Sequence, residues 1–450
     1  MVMVGGYGKL GAPLSLVSAL ANSSAKNLTI VCGIASCPER GSAIQELIEA
    51  KKVSKLITSS VGENKLILDQ FKKGELAVEI LPLGTLAEKT RSGGFGIPGF
   101  YSSVGTGTFH EEGGLPVKYS KEGVITDVNL PLEKREFRGK DYLFERTLLA
   151  DYAFVKAWKA DNKGNCLLKL AARNFNPDMA CAGKICIAEA EEIVEPGQLG
   201  GDDVHISGIF VHRVVKAASK EPSYSDTGKC PVGNDKKKEA IVKRAAQEIR
   251  NGNYVVLGCG LPKAIEQFVP ESIDVYYFYP ETGVFGGVRK GKHLANVTDR
   301  CMLPLGLRRN AAIVKASDGF CALRGSHINN IFVEAYQVSA SGDLANIEKG
   351  DCILPSVGAN MDLASPGPRS ALVALMELET NGKCNLLKQC TYRLSGKNCV
   401  SKLITDVGVF EFKKDGVHLT EIAAGVSADT VKRKVPFELK VANNLKNMTG

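Results

Sequence analysis

The sequence contains no CxxC pair, although it holds 13 cysteines. Its tightest spacings are Cys32/Cys37 and Cys181/Cys186. An odd count at irregular spacing argues against a disulfide framework or a zinc site and implies free thiols in a reducing compartment. Histidine is scarce, and the stretch His110-Glu111-Glu112-Gly113-Gly114 lacks the second His of a zinc-binding helix, so His110 reads as a loop residue. No apolar run reaches the roughly 18 residues of a membrane span. No signal peptide is visible, because Met1-Val2-Met3-Val4 runs directly into Gly5-Gly6. No basic stripe interleaved with aromatics exists, which argues against nucleic acid. The net charge of +8, from 57 basic and 49 acidic residues, suits an anionic ligand or an organellar protein. Gly5, Gly6, Gly8 and Gly11 do not make a GxGxxG, since Tyr7 and Lys9-Leu10 break the spacing. A nicotinamide-dependent dehydrogenase is set aside on that ground.

What is present is a globular composition. At 450 residues and 44% apolar, the chain can bury a large core spread over several domains. The clearest break is 220–237, KEPSYSDTGKCPVGNDKK, which is polar, rich in Pro and Gly, and without hydrophobic period. It separates an N-terminal half, 1–219, from a C-terminal half, 238–450. After the break, Ile241, Val242, Ala245, Ala246 and Ile249 recur at helical spacing, and Gly252 suits a C-terminal cap. Each half opens alike, with VMVGGYGKLGAP (2–13) and YVVLGCGLP (254–262): an apolar strand, a Gly-rich turn and a Pro. The expected fold is therefore α/β, with two related domains joined by a linker.

Three further stretches stand out. TRSGGFGIPGFYSSVGTGT (90–108) is long and Gly-dense for a connection, a feature of functional or mobile loops. SVGANMDLASPGP (356–368) reads as a flexible segment after an apolar strand, Cys352-Ile353-Leu354. The third is FYPETGVFGG (278–287). The run 273–279 is β-branched and aromatic, and Pro280 ends it. Glu281 then falls on a Gly-rich turn at the carboxyl end of a strand, where open α/β sheets bind ligands. A turn carboxylate is more often merely solvated.

Long segments resemble one family. DYAFVKAWKADNKGNC (151–166), AARNFNPDMA (171–180) and EEIVEPGQLGGDDVHISGIFVHR lie in the first half. VKRAAQEIRNGNYVVLGCGLP, SGDLANIEKG and LSGKNCVSKLITDVGVFEF follow in order in the second. The chain resembles succinyl-CoA:3-ketoacid CoA-transferase, a family I coenzyme A transferase, over almost its whole length. The resemblance implies two α/β domains packed together, usually as a homodimer, acting on an acyl-CoA and a small carboxylic acid. It implies coenzyme A as substrate, no resident cofactor and no metal. It puts the nucleophile at Glu281 and oxyanion donors in the loop holding Gly358 and Ala359. Gly258, Gly260, Gly283 and Asn360 become candidates for contacting CoA or substrate. The mitochondrial matrix is the implied compartment, with the bare N-terminus suggesting a processed or incomplete form or a cytoplasmic protein.

The chain departs from the family at several positions. Leu83, in LPLGTLAE, stands where the family has a Gln whose amide helps to stabilise the oxyanion, and Leu cannot donate a hydrogen bond. Gly33-Ile34 replaces an Asn-Asn pair after the strand 27–32. Ala359 replaces a Gly, a change expected to alter the turn. Pro280 and Thr282 flank the nucleophile in place of Ser and Asn. Two readings stay open: an active CoA-transferase, and a weak or inactive paralogue serving as a structural or assembly component of a larger complex.

Overall fold

The computed structural model describes residues 1–35, 41–218, 232–289, 292–299, 301–350 and 352–449. Most of the linker, 220–237, lies outside the described residues. On either side of it stands a parallel-centred sheet. In the first half, strands Val2–Val4, Leu28–Val31, Val53–Thr58 and Ala77–Ile80 lie in order. On the other side of Val2–Val4 come Ala150–Asp161, Gly183–Val194 and Arg213–Lys216. All these pairings are parallel. In the second half, Val275–Tyr279, Asn253–Leu257, Asn330–Glu334, Ala371–Leu375 and Lys402–Ile404 form the parallel centre of an 11-stranded sheet. Both openings thus become a strand and a Gly turn on a central strand, as their shared pattern predicts.

The two halves share one core. Leu83, Phe175 and Met179 from the first half and Met302, Phe320 and Leu363 from the second belong to a single buried cluster. Burial of this kind stabilises by about 25 cal/mol per Å² of apolar surface, so the halves are not independent beads on a string. Among the described residues, no helix is long and apolar enough to cross a membrane.

Several local readings change. The Gly-dense segment 90–108 is partly helix, because Leu83–Gly94 is helical and Gly99–Ser102 is a strand. Two of its glycines serve close packing: a Cβ on Gly93 would lie 2.1 Å from the Leu148 carbonyl oxygen, and one on Gly94 2.6 Å from Cys181 Cβ. Cys352-Ile353-Leu354 forms no strand. The helix after the linker is Lys236–Ala246, capped by the Asp235 carboxylate, and it ends before Gly252. His110 is buried in the short helix Phe109–Glu112, not in a loop. Its Nε2 lies 2.6 Å from Glu145 Oε1, and Lys89 holds the other carboxylate oxygen. Burial alone would raise the Glu145 carboxyl, but His110 and Lys89 outweigh it and hold it below its usual range.

Candidate active site

The strand Val275–Tyr279 ends as its sequence requires, and a tight turn follows. Tyr279 pairs with Val284, so Pro280-Glu281-Thr282-Gly283 forms the loop of a hairpin. Gly283 is obligatory there: its φ is +68°, and a Cβ would sit 1.9 Å from the Val314 carbonyl oxygen. The Gly283 N–H donates to the Pro280 carbonyl at 3.3 Å, and the Val314 N–H donates to the Gly283 carbonyl at 2.9 Å. Thr282 is fully buried and donates its hydroxyl to the Thr298 carbonyl at 2.8 Å. Behind the turn, helix Ala316–Arg324 approaches closely enough that a Cβ on Gly319 would lie 2.6 Å from Pro280 O. The proline that removes an N–H beside Glu281 also lends its carbonyl to closing the turn. Glu281 itself is only 1% exposed.

The loop 356–360 of the second half is clamped to the first half. Gly358 O accepts the Leu83 N–H at 2.9 Å and the Ser59 hydroxyl at 3.0 Å. The Gly358 N–H in turn donates to Ser59 O at 3.0 Å. Ser60 and Ser356 join their hydroxyls at 2.8 Å. Of the two expected oxyanion donors, the Gly358 N–H is therefore already engaged, and the Ala359 N–H is the one this loop offers. Ala359 does not distort the turn, since its φ of −89° and ψ of 3° are ordinary for any residue.

A cavity of about 540 Å³ opens at this interface. Ile34, Gly258, Gly260, Gly358, Ala359 and Asn360 all contribute to its wall. Glu281, Gly283, Gly33 and Leu83 do not line it. Gly33 instead lies under Phe175, where a Cβ would be 3.2 Å from the ring, and its carbonyl accepts the Ser59 N–H at 3.1 Å. Leu83 is fully buried. Gly260 has φ +75°, and a Cβ would fall 1.6 Å from Glu334 Oε2, which also accepts the Leu261 N–H at 3.0 Å. Lys263 and Lys349 lie on the cavity wall, placing positive charge where an anionic ligand would enter. Among the described residues, no cluster of His, Cys, Asp and Glu could hold a metal.

Some site residues escaped the sequence reading. Asp362 is one: it is fully buried, and its Oδ2 accepts the Gly84 N–H at 2.9 Å, tying the start of helix Leu83–Gly94 to the short helix Asn360–Leu363. Its pairing partner lies in the other half, and no local spacing announces it. Burial, helped by the charge of Glu281 and opposed by the Gly84 N–H, Arg324 and His110, pushes the Asp362 carboxyl up to about 7. Folded Asp362 thus keeps its proton well above the pH at which the unfolded chain releases it. Its contribution to stability is full below about pH 4 and is lost as pH rises to about 7, by roughly 1.4 kcal/mol per unit of pKa separation. Asp362→Asn should flatten that limb. Denaturant titrations at pH 4.5, 6 and 7.5 test this: wild type loses stability across the series relative to the variant, and parallel curves would contradict the assignment.

The cysteines hold another surprise. Cys259 and Cys301 are joined in a disulfide, contrary to the expectation of free thiols throughout. Both line the cavity. They are far apart in sequence, so spacing could not pair them.

Comparison with known proteins gives one family. The coenzyme A transferase family model matches residues 1–217 and 238–434. Succinyl-CoA:3-ketoacid coenzyme A transferase 2A, mitochondrial, from Rattus norvegicus is 36% identical, covering 99% of this chain and 88% of that protein. The mitochondrial transferase 2 of Homo sapiens is 34% identical with the same coverage of both chains. The apoenzyme structure of the acyl-CoA transferase YdiF from Escherichia coli O157:H7 superposes with a TM-score of 0.78 at 20% identity, covering 100% of this chain and 92% of that one. The fold is thus that of an acyl-CoA transferase, and the chain belongs to the coenzyme A transferase family.

Proposed function

We propose that this protein is a CoA-transferase of the succinyl-CoA:3-ketoacid type, moving CoA from succinyl-CoA to a small carboxylate such as acetoacetate or acetate. The observation that carries the reading is the placement of Glu281, a buried carboxylate on a rigid hairpin turn beside the interface of the two halves. The steps balance without a cofactor. The Glu281 carboxylate attacks the thioester carbonyl, forms a mixed anhydride and expels CoA as thiolate. The thiolate attacks the glutamyl carbonyl, giving an enzyme–CoA thioester and the free first acid. The second acid reverses both steps and leaves with CoA. Hydrolysis would waste the thioester, so a nucleophile 1% exposed is an asset. Lys263 and Lys349 would attract the anionic parts of CoA, and their remote binding supports the chemistry at the carbonyl. Family resemblance supports a homodimer, and the mammalian relatives' mitochondrial names support a mitochondrial compartment.

A second reading is a catalytically weak or inactive paralogue acting within a larger assembly. It is favoured by Leu83, which brings a buried hydrocarbon where the family brings an amide, and by a cavity wall that does not include Glu281. Intact-mass spectrometry separates the two. The protein is incubated with acetoacetyl-CoA and no acceptor acid, beside Glu281→Ala. A CoA adduct present in the wild type and absent in the variant is the expected result. A folded wild-type protein that takes up no CoA would move the assignment to the second reading.

A further inference from the structure

We propose that Cys259 and Cys301 are a reversible thiol–disulfide pair that sets the width of the cavity, by tying the Gly258-Cys259-Gly260 turn to the segment 301–303. Cys259 is exposed and Cys301 partly so, and both face the same cavity. Lys263 stands on the same wall, with its ammonium 3.9 Å from Asp299 Oδ2. One side of the pair is firmly held. Asp299 Oδ1 accepts the N–H groups of Cys301 and Leu303, each at 2.8 Å, and Arg289 holds the other carboxylate oxygen at 2.6 Å. The other side is a turn with glycine before and after the cysteine. The Cα atoms are 7.1 Å apart, beyond the usual span of a bridge, so that closing one requires the backbone to move. A closed bridge therefore draws the glycine turn toward the anchored loop, and reduction releases it.

The chemistry needs only a low-molecular-weight disulfide such as oxidised glutathione. One cysteine thiolate attacks it, forming a mixed disulfide and releasing one glutathione thiolate. The second cysteine thiolate attacks the protein-side sulfur and displaces the other glutathione. Two electrons pass to glutathione, two cysteine protons end on its thiols, and one S–S bond has replaced another. The other described cysteines offer a contrast. Cys321 and Cys352 are exposed but have no sulfur partner, while burial pushes the Cys32 and Cys166 thiols up to about 12.

The test uses the full chain, reduced and then equilibrated with oxidised glutathione. Peptide mass mapping should show the loss of two hydrogens on the Cys259–Cys301 pair, and Cys259→Ser should convert it to a glutathione adduct on Cys301. Amide exchange over the glycine turn, 259–261, should slow about tenfold in the bridged form. Desulfo-CoA, which carries neither thiol nor thioester, should bind the bridged form about tenfold more weakly, reversibly on reduction. This binding arm rests on the proposed function. If the reduced protein binds no desulfo-CoA, that reading fails, while mapping and exchange still judge the pair. Glutathione adducts without a bridge, or a bridge that leaves exchange unchanged, would overturn the proposal. Equal desulfo-CoA affinity in both states would overturn the control of cavity width.

Discussion

Glu281→Gln is expected to lower turnover by roughly 10⁴–10⁶, the scale of loss when a covalent nucleophile is removed. The fold should survive, because the hairpin is anchored by groups other than the carboxylate. It is held by Gly283 at φ +68°, by the Val314 N–H on the Gly283 carbonyl and by the Thr282 hydroxyl on Thr298 O. Glutamine fills the same volume in a site only 1% exposed. The substitution also removes a negative charge that helps to raise the Asp362 carboxyl. Asp362 should then titrate lower, and the variant should be no less stable than wild type at neutral pH. Steady-state transfer from succinyl-CoA, with denaturation curves at pH 7.5, checks both halves of the statement. Turnover within about tenfold of wild type would remove Glu281 from the nucleophile's role, since so small a loss is under about 1.4 kcal/mol of barrier.

Glu281 is legible because its signals are local. An aromatic and β-branched run, a proline that stops it and a glycine that turns it all lie within one short stretch. The observed strand is shorter, Val275–Tyr279, but its end and the turn stand where Pro280 and Gly283 put them. The paired openings at Val2–Val4 and Asn253–Leu257 are legible for the same reason. What cannot be read is whatever depends on approach between distant segments. Gly93 and Gly94 read as loop residues because a glycine that admits Leu148 or Cys181 against a helix has the same letter as one that bends a loop. His110 reads as a loop residue because its partners, Lys89 and Glu145, stand on other elements. Asp362 and the Cys259–Cys301 pair are long-range in the same sense.

The concern about Ala359 also comes from letters alone. Glycine at that place suggests a left-handed backbone, yet Ala359 sits at φ −89° and the left-handed residue is its neighbour Gly358, at +49°. The replacement is conformationally neutral. Among the departures around the site, Leu83 is the one expected from the family resemblance to cost an oxyanion donor, since a leucine side chain donates no hydrogen bond.

Leu83→Gln is accordingly expected to raise the rate of adduct formation from acetoacetyl-CoA by about 10²–10³, the usual worth of one oxyanion donor. The backbone at this position is already fixed, since the Leu83 N–H donates to Gly358 O at 2.9 Å and holds the helix start against the Ala359 loop. Only the side chain changes. The cost appears in stability: Leu83 is fully buried among apolar neighbours, and an amide without a full set of partners there costs about 1–3 kcal/mol. Leu83→Met, similar in volume and without a donor, provides the control and should change neither rate nor stability by much. Faster adduct formation with a lower melting temperature in the glutamine variant is the expected pair of results. A folded variant with the wild-type rate would mean that the oxyanion is stabilised entirely by the backbone at Ala359, and that Leu83 is a core residue and nothing more.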